Sequence, residues 1–175
     1  LFTEVLNTNG IAVLNSRLNN YKSLKNKIAS RNIKIITFGS KDVYFEDTIC
    51  LSIFIYNKNY KIKNLYLNSI QKQNLECAIA CALAINITPK KIINSLTKLK
   101  PVPGRFEELI YKKKTSKIVI DYAHTPDAIK QILKTYTNKK FKPSIIFGCG
   151  GERDKGKRKK MGIIAQKYAN KVYIT

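Results

Sequence analysis

Short apolar runs rich in β-branched residues alternate with polar stretches from the start of the chain. IAVLN (Ile11 to Asn15) and IKIITFG (Ile33 to Gly39) have the composition of buried strands, and the polar stretch between them has helical length. Together they predict a β-α-β unit with parallel strands, the building block of doubly wound α/β domains. LSIFIYN and YKIKNLYL then alternate apolar and polar residues around Asn57-Lys58-Asn59, which predicts a half-exposed hairpin. From Gln71 the pattern turns helical, with Leu75, Ile79, Ala82 and Leu83 on one stripe. Pro89 opens a second helix, PKKIINSLTKLK, at the position that proline favours.

The run Pro101-Val102-Pro103-Gly104 fits neither a helix nor a central strand, so the expected domain boundary falls there, giving 1–103 and 104–175. Beyond it RFEELIY and KIVIDY read as strands. Thr125-Pro126 starts a helix to about Tyr136, and PSIIFG is a buried-type strand, so the β-α-β pattern restarts. The Gly-rich, charged segment GCGGERDKGKRKKMG is expected to be a loop, followed by an amphipathic helix from Met161 to Tyr168 and a last strand, KVYIT. The expected fold class is α/β.

Composition changes this picture little. The chain is 44% hydrophobic and 25% charged, close to the globular average, which excludes wholesale disorder. A formal charge of +22, from 33 basic and 11 acidic residues, raises the possibility of a basic nucleic-acid-binding domain. The lysines are scattered, however, in short runs such as Lys112-Lys113-Lys114 and Lys157-Arg158-Lys159-Lys160, beside a general excess of Ile, Asn and Tyr. That is the mark of an A- and T-rich genome filling tolerant surface sites, so no nucleic-acid partner is expected. Cys50, Cys77, Cys81 and Cys149 lack the paired spacing of a zinc ribbon; they read as reduced thiols, Cys77 and Cys81 as small packing residues, with no metal site. No apolar stretch reaches the length of a membrane span and the first residues lack a signal-peptide pattern, so no membrane association and a cytoplasmic location are expected. Leu1 at the start and KVYIT at the finish make both ends look cut.

Two segments carry candidate chemistry. In Ile118-Val119-Ile120-Asp121-Tyr122-Ala123-His124-Thr125-Pro126-Asp127 a strand runs into an acid, the place where open α/β sheets bind ligands. Asp121 there is either an acceptor for sugar hydroxyls or an ordinary strand-end residue, with Thr125 as a helix cap. His124, the single histidine, is either an acid-base group or a residue hydrogen-bonded to a nearby carbonyl. The second segment runs from Gly148 to Arg158. It is neither a Walker A loop nor a GxGxxG fingerprint, but Arg, Asp and Lys set between glycines exceed what a bland turn needs and point to an anionic ligand.

In this order, PVPGRFE, DYAHTPD and FGCGGERDKGKRKKMG resemble the Mur ligase family, and within it the UDP-N-acetylmuramoyl-tripeptide synthetases. The LF start, the IAVLN strand and the TFG strand resemble that family's central domain. The resemblance implies the remainder of a central ATPase-type domain followed by the first half of a Rossmann-like C-terminal domain. It implies a ligase that uses ATP and Mg²⁺ to join meso-diaminopimelate to UDP-N-acetylmuramoyl-L-alanyl-D-glutamate through an acyl phosphate. By the same resemblance Asn74, Arg105, Asp121 and His124 lie on the nucleotide and Arg153 binds diaminopimelate. The family's P-loop and carbamylated lysine lie before the point matching Leu1, so the chain alone is expected to be inactive. The sequence departs from the family pattern at Ser16-Arg17, where two acids are usual, and at Ser69 to Asn74, where Gly-x-Phe-Asn-x-x-Asn is usual, with Gln71 as a possible amide substitute. Those departures leave room for a non-catalytic remnant of the family.

Overall fold

The computed structural model describes residues 2–7, 9–47, 51–62, 67–111, 116–138, 140–150 and 154–175. The chain divides into two compact units, Leu1–Leu99 and Lys100–Thr175.

In the first unit, helix α1 (Phe2–Val5) leads into β1 (Ile11–Asn15), α2 (Tyr21–Ala29) and β2 (Lys34–Phe38). The two strands pair in parallel over their whole length, from Ile11 opposite Lys34 to Asn15 opposite Phe38. Three further strands, β3 (Val43–Asp47), β4 (Leu51–Ile55) and β5 (Lys58–Lys61), complete a sheet of order β1-β2-β3-β4-β5. Helices α3 (Ser69–Ala84) and α4 (Pro89–Leu96) follow. Both faces of β1 are covered, which is why it is apolar from Ile11 to Leu14. Ile11 and Val13 pack into the cluster with Ile79, Ala80 and Leu83 of α3, whereas Ala12 and Leu14 pack with Ile28 of α2.

Two details differ from the sequence expectation. Strand β3 was not anticipated. Its sequence VYFED is short and ends in two acids; it is a strand because β4 pairs with it from Val43–Ile55 to Asp47–Leu51, with Tyr44 and Phe54 stacked at 4.8 Å. The hairpin turn then sits at Tyr56-Asn57 and not at Asn57-Lys58-Asn59. Both turn residues have positive φ (48° and 65°), the two-residue geometry whose twist matches the flanking strands, so Lys58 and Asn59 enter β5 opposite Ile55 and Phe54.

In the second unit, β6 (Glu107–Tyr111) and β7 (Ser116–Ile120) form an antiparallel pair, with Glu107 opposite Ile120. Helix α5 (Pro126–Tyr136) begins on a Thr125 cap whose Oγ1 accepts the Ala128 N–H at 3.2 Å. Strand β8 (Ile145–Phe147), α6 (Gly156–Tyr168) and β9 (Val172–Ile174) form the parallel β-α-β unit. That unit lies one strand later than the restart expected from KIVIDY, because β7 pairs with β6 in a sheet separate from β8–β9. Ile129 and Leu133 of α5 and Met161 of α6 are fully buried together with Ala169, backed by Ile145 and Phe147. Helix α6 also starts at Gly156, five residues before the expected Met161, so Lys157-Arg158-Lys159-Lys160 are helical and not part of a loop. Lys and Arg are good helix formers, and one glycine at the first position does not prevent the start.

Candidate functional site

The end of β7 gathers three of the five residues singled out from the sequence. Asp121 is the first residue beyond the strand, and its Oδ2 accepts the N–H of Phe106 at 2.9 Å. Phe106 is buried and has φ +51°, a left-handed conformation costly for a non-glycine residue, while the preceding Gly104 (φ +67°) donates its N–H to Glu107 Oε2 at 2.8 Å. The PVPGRFE turn is thus wound so that Arg105 projects beside the end of β7. The Arg105 guanidinium carbon lies 4.6 Å from the centroid of the Tyr122 ring, a cation–π contact. His124 meets the same ring edge-on at 5.3 Å, and its Nδ1 lies 3.1 Å from the Tyr122 carbonyl oxygen. A carbonyl only accepts, so Nδ1 carries a proton, and in the neutral ring Nε2 is the acceptor. Tyr122 was not singled out from the sequence; an aromatic between an acid and a histidine gives no signal until Arg105, distant in sequence, is folded over it.

Arg105, Tyr122 and His124 are all exposed, and Asp121 is half-buried. The arrangement offers a guanidinium and an imidazole around an aromatic post, next to a carboxylate. Such groups suit a polyanionic ligand carrying hydroxyl groups.

The Gly-rich segment is described on either side of residues 151–153. Arg153, with Gly151 and Glu152, lies outside the described residues. Gly148 has a packing reason for lacking a side chain, since a Cβ there would stand 2.7 Å from Thr175 Oγ1 and 2.8 Å from its carbonyl oxygen. At Gly150 a Cβ would meet open space. Asp154 has φ +51° and its carbonyl accepts the Lys157 N–H at 3.2 Å, which leads the chain into α6.

Asn74 is exposed on α3 of the first unit. Helix α3 begins at Ser69, two residues earlier than expected, on a capping box. The Asn68 side chain accepts the N–H groups of Ile70 and Gln71, and the Gln71 Oε1 accepts the Asn68 N–H at 3.0 Å. Gln71 therefore spends its side-chain oxygen on starting the helix. At the other departure, Arg17 forms a bidentate pair with Glu76, which is fully buried. Of the thiols, Cys77 is half-buried but Cys81 is exposed, so Cys81 is not the packing residue expected; Cys50 lies outside the described residues. Among the described residues no three His, Cys, Asp or Glu side chains converge on a metal site, and no helix is long and apolar enough to cross a membrane.

The family model described as "Mur ligase, glutamate ligase domain" matches residues 104–175. The whole chain is also similar, at 40% identity, to the UDP-N-acetylmuramoyl-L-alanyl-D-glutamate--2,6-diaminopimelate ligase of Rickettsia typhi, of which the match covers 37%. Residues 104–175 thus match a Mur ligase domain, and the chain is similar to Mur ligases along its whole length. A solved structure of a diaminopimelate ligase of the same description matches at 27% identity and a TM-score of 0.50, over 94% of this chain and 36% of that one. MurF from Acinetobacter baumannii shares the fold more closely, with a TM-score of 0.71 at 16% identity, over 98% of this chain and 44% of that one. The α/β class expected from the sequence is the class of these Mur ligases. The chain spans little more than a third of the length of the curated relatives it matches.

Proposed function

We propose that the protein carrying this chain is an ATP-dependent, Mg²⁺-requiring cytoplasmic ligase that adds meso-diaminopimelate to UDP-N-acetylmuramoyl-L-alanyl-D-glutamate. Residues 1–103 are the later part of its central domain and residues 104–175 the first part of its C-terminal domain. The observation that carries this reading is the 40% identity, across the whole chain, to a ligase of that name. The gathering of Arg105, Asp121 and His124 at the end of β7 supports it.

The chemistry follows from the weakness of a carboxylate as an acyl donor. Transfer of the γ-phosphoryl group of ATP to a carboxylate oxygen of the D-glutamate side chain forms an acyl phosphate and releases ADP. Attack by an amine of diaminopimelate on the acyl carbon forms the amide bond and expels phosphate. Both steps gather negative charge, which positioned cations offset. In this reading Arg105 lies along the phosphate side and Asp121 accepts from ribose hydroxyls. His124 stands beside the nucleotide, and Asn74 meets the adenine. Arg153 forks onto a carboxylate of diaminopimelate, as a planar guanidinium does well. Magnesium would offset phosphate charge when bound; among the described residues no three His, Cys, Asp or Glu side chains cluster to hold it. No nucleic-acid or membrane partner is proposed.

A second reading, a non-catalytic member of the family, is favoured by Arg17 standing where acids are usual and by Gln71 being tied into the helix cap. The two separate on one assay. The intact protein given ATP, the dipeptide precursor and diaminopimelate forms ADP and the tripeptide product only if the first reading holds.

A further inference from the structure

The most deliberately built polar contact in the first unit belongs to none of the roles above. Beyond β1, Asn15 Oδ1 accepts the Arg17 N–H at 2.9 Å and so turns the chain. The Arg17 guanidinium passes against Gly39, where a Cβ would stand 2.5 Å from one of its nitrogens, so glycine is needed for the guanidinium to pass. It then grips Glu76 with two bonds, at 2.6 and 3.1 Å. Glu76 is fully buried in α3, and its Oε1 also accepts the N–H of Phe45 in β3 at 2.9 Å. One carboxylate thereby ties together the end of β1, the edge of β3 and the helix. The hydrogen bond to Glu76 holds the Arg17 pKa above its ordinary value, so the charge on this side of the fork is permanent.

Helix α3 needs such a device. Glu76 shares its buried face with Ile79, Ala80 and Leu83, and apolar contacts are non-directional, so the face is held in the core without a fixed polar register. A bidentate guanidinium–carboxylate fork is directional. Glu76 lies two residues beyond Asn74, which faces solvent on the same turn. We propose that the Arg17–Glu76 pair is a positioning lock for α3 that sets the place from which Asn74 meets the nucleotide base. The lock rests on the reading of Asn74 given under Proposed function. It also gives a physical account of Ser16-Arg17 in a family where acids are usual, with the cation at the strand end and the acid on the helix.

The test is steady-state kinetics and thermal denaturation of the intact ligase carrying Glu76→Gln, Arg17→Lys, Asn74→Ala and the double variant Glu76→Gln/Asn74→Ala. Glutamine keeps the shape and the acceptor for Phe45 but loses the charged fork. Glu76→Gln is expected to raise the KM for ATP about threefold to tenfold, the size of one weakened neutral hydrogen bond between Asn74 and the base, and to leave the KM for diaminopimelate within about twofold. Arg17→Lys, which keeps the charge without the fork, is expected to move the ATP KM in the same direction by less. The double variant should match Asn74→Ala alone, since a positioning residue has nothing left to position. A lower melting point in Glu76→Gln and Arg17→Lys with an unchanged ATP KM, while Asn74→Ala is impaired, overturns the lock and leaves a structural ion pair. An unchanged ATP KM in Asn74→Ala overturns the adenine assignment itself and the inference with it.

Discussion

Removing the Asp121 carboxylate should cost stability before it costs catalysis. Phe106 is 9% exposed and its N–H is bonded to Asp121 Oδ2 at 2.9 Å. In Asp121→Ala that donor loses a charged acceptor in a largely dry place, a loss of about 1.5–3 kcal/mol. The left-handed conformation of Phe106 is present with or without the acid, so its strain is not added to the loss. For a unit the size of Lys100–Thr175 each kcal/mol shifts the midpoint by roughly 4–8 °C, so the transition of that unit should fall by roughly 6–24 °C. Asp121→Asn keeps a carbonyl acceptor and should recover about half, since a neutral bond contributes about 0.5–1.5 kcal/mol. Differential scanning calorimetry of the intact protein reads both. A midpoint for Asp121→Ala within about 2 °C of the wild type, or equal losses for Ala and Asn, would refute the reasoning. The same pair of variants then disentangles kinetics. An ATP KM raised in Ala but normal in Asn reflects the fallen turn, whereas one raised in both reflects a lost ligand contact.

Two further outcomes follow from the titrating groups. Burial first, then the charge and hydrogen bond of Cys81, push the Cys77 thiol up, and Cys81 is exposed, so iodoacetamide near pH 8 should label Cys81 before Cys77; mass-spectrometric fragments showing the reverse order would contradict this. The Glu108 carboxyl is held below its ordinary range by its hydrogen bond from Lys117, at 2.7 Å, and then by the one from Tyr136. A depressed carboxyl contributes stability that is present above its unfolded value of about 4.3 and is lost as pH falls through the lower folded value. The Glu108 side chain is 42% exposed, so the contribution is below about 1 kcal/mol, and Glu108→Gln should make the acid limb of the urea midpoint slightly shallower, with no change at pH 7 in its pH slope. An acid limb unchanged in Glu108→Gln would show that the pair does not persist in solution.

The parts of the fold that could be read from the chain are those where burial decides composition. Ile11 to Leu14 and Ile33, Ile35, Ile36 and Phe38 are apolar because both faces of the parallel pair are packed. Strand β3 escaped because its pairing comes from β4 and not from its own residues. The start of α3 was available, since Asn68 and Gln71 have the spacing of a capping box. The start of α6 was obscured because the basic run reads equally as a charged loop and as a helix turn. Motif order singled out Arg105, Asp121 and His124, which the fold brings together, but not Tyr122, which Arg105 meets only once the chain is folded. Arg17 and Glu76 are 59 residues apart, and the one local sign was an acid set within the apolar stretch LECAIA, which burial makes costly without a cation.

The most direct measurement of the central claim is amino-acid choice by the intact enzyme, wild type and Arg153→Ala, with the UDP-linked dipeptide precursor, ATP, and meso-diaminopimelate and L-lysine in competition. Product is scored by mass spectrometry. The wild type should form the diaminopimelate tripeptide in large excess. Loss of a bidentate guanidinium–carboxylate contact, about 1.5–3 kcal/mol, should raise the KM for diaminopimelate roughly tenfold to a hundredfold in Arg153→Ala and spare that for ATP. Equal use of L-lysine by the wild type, or unchanged diaminopimelate kinetics in Arg153→Ala, would contradict the account.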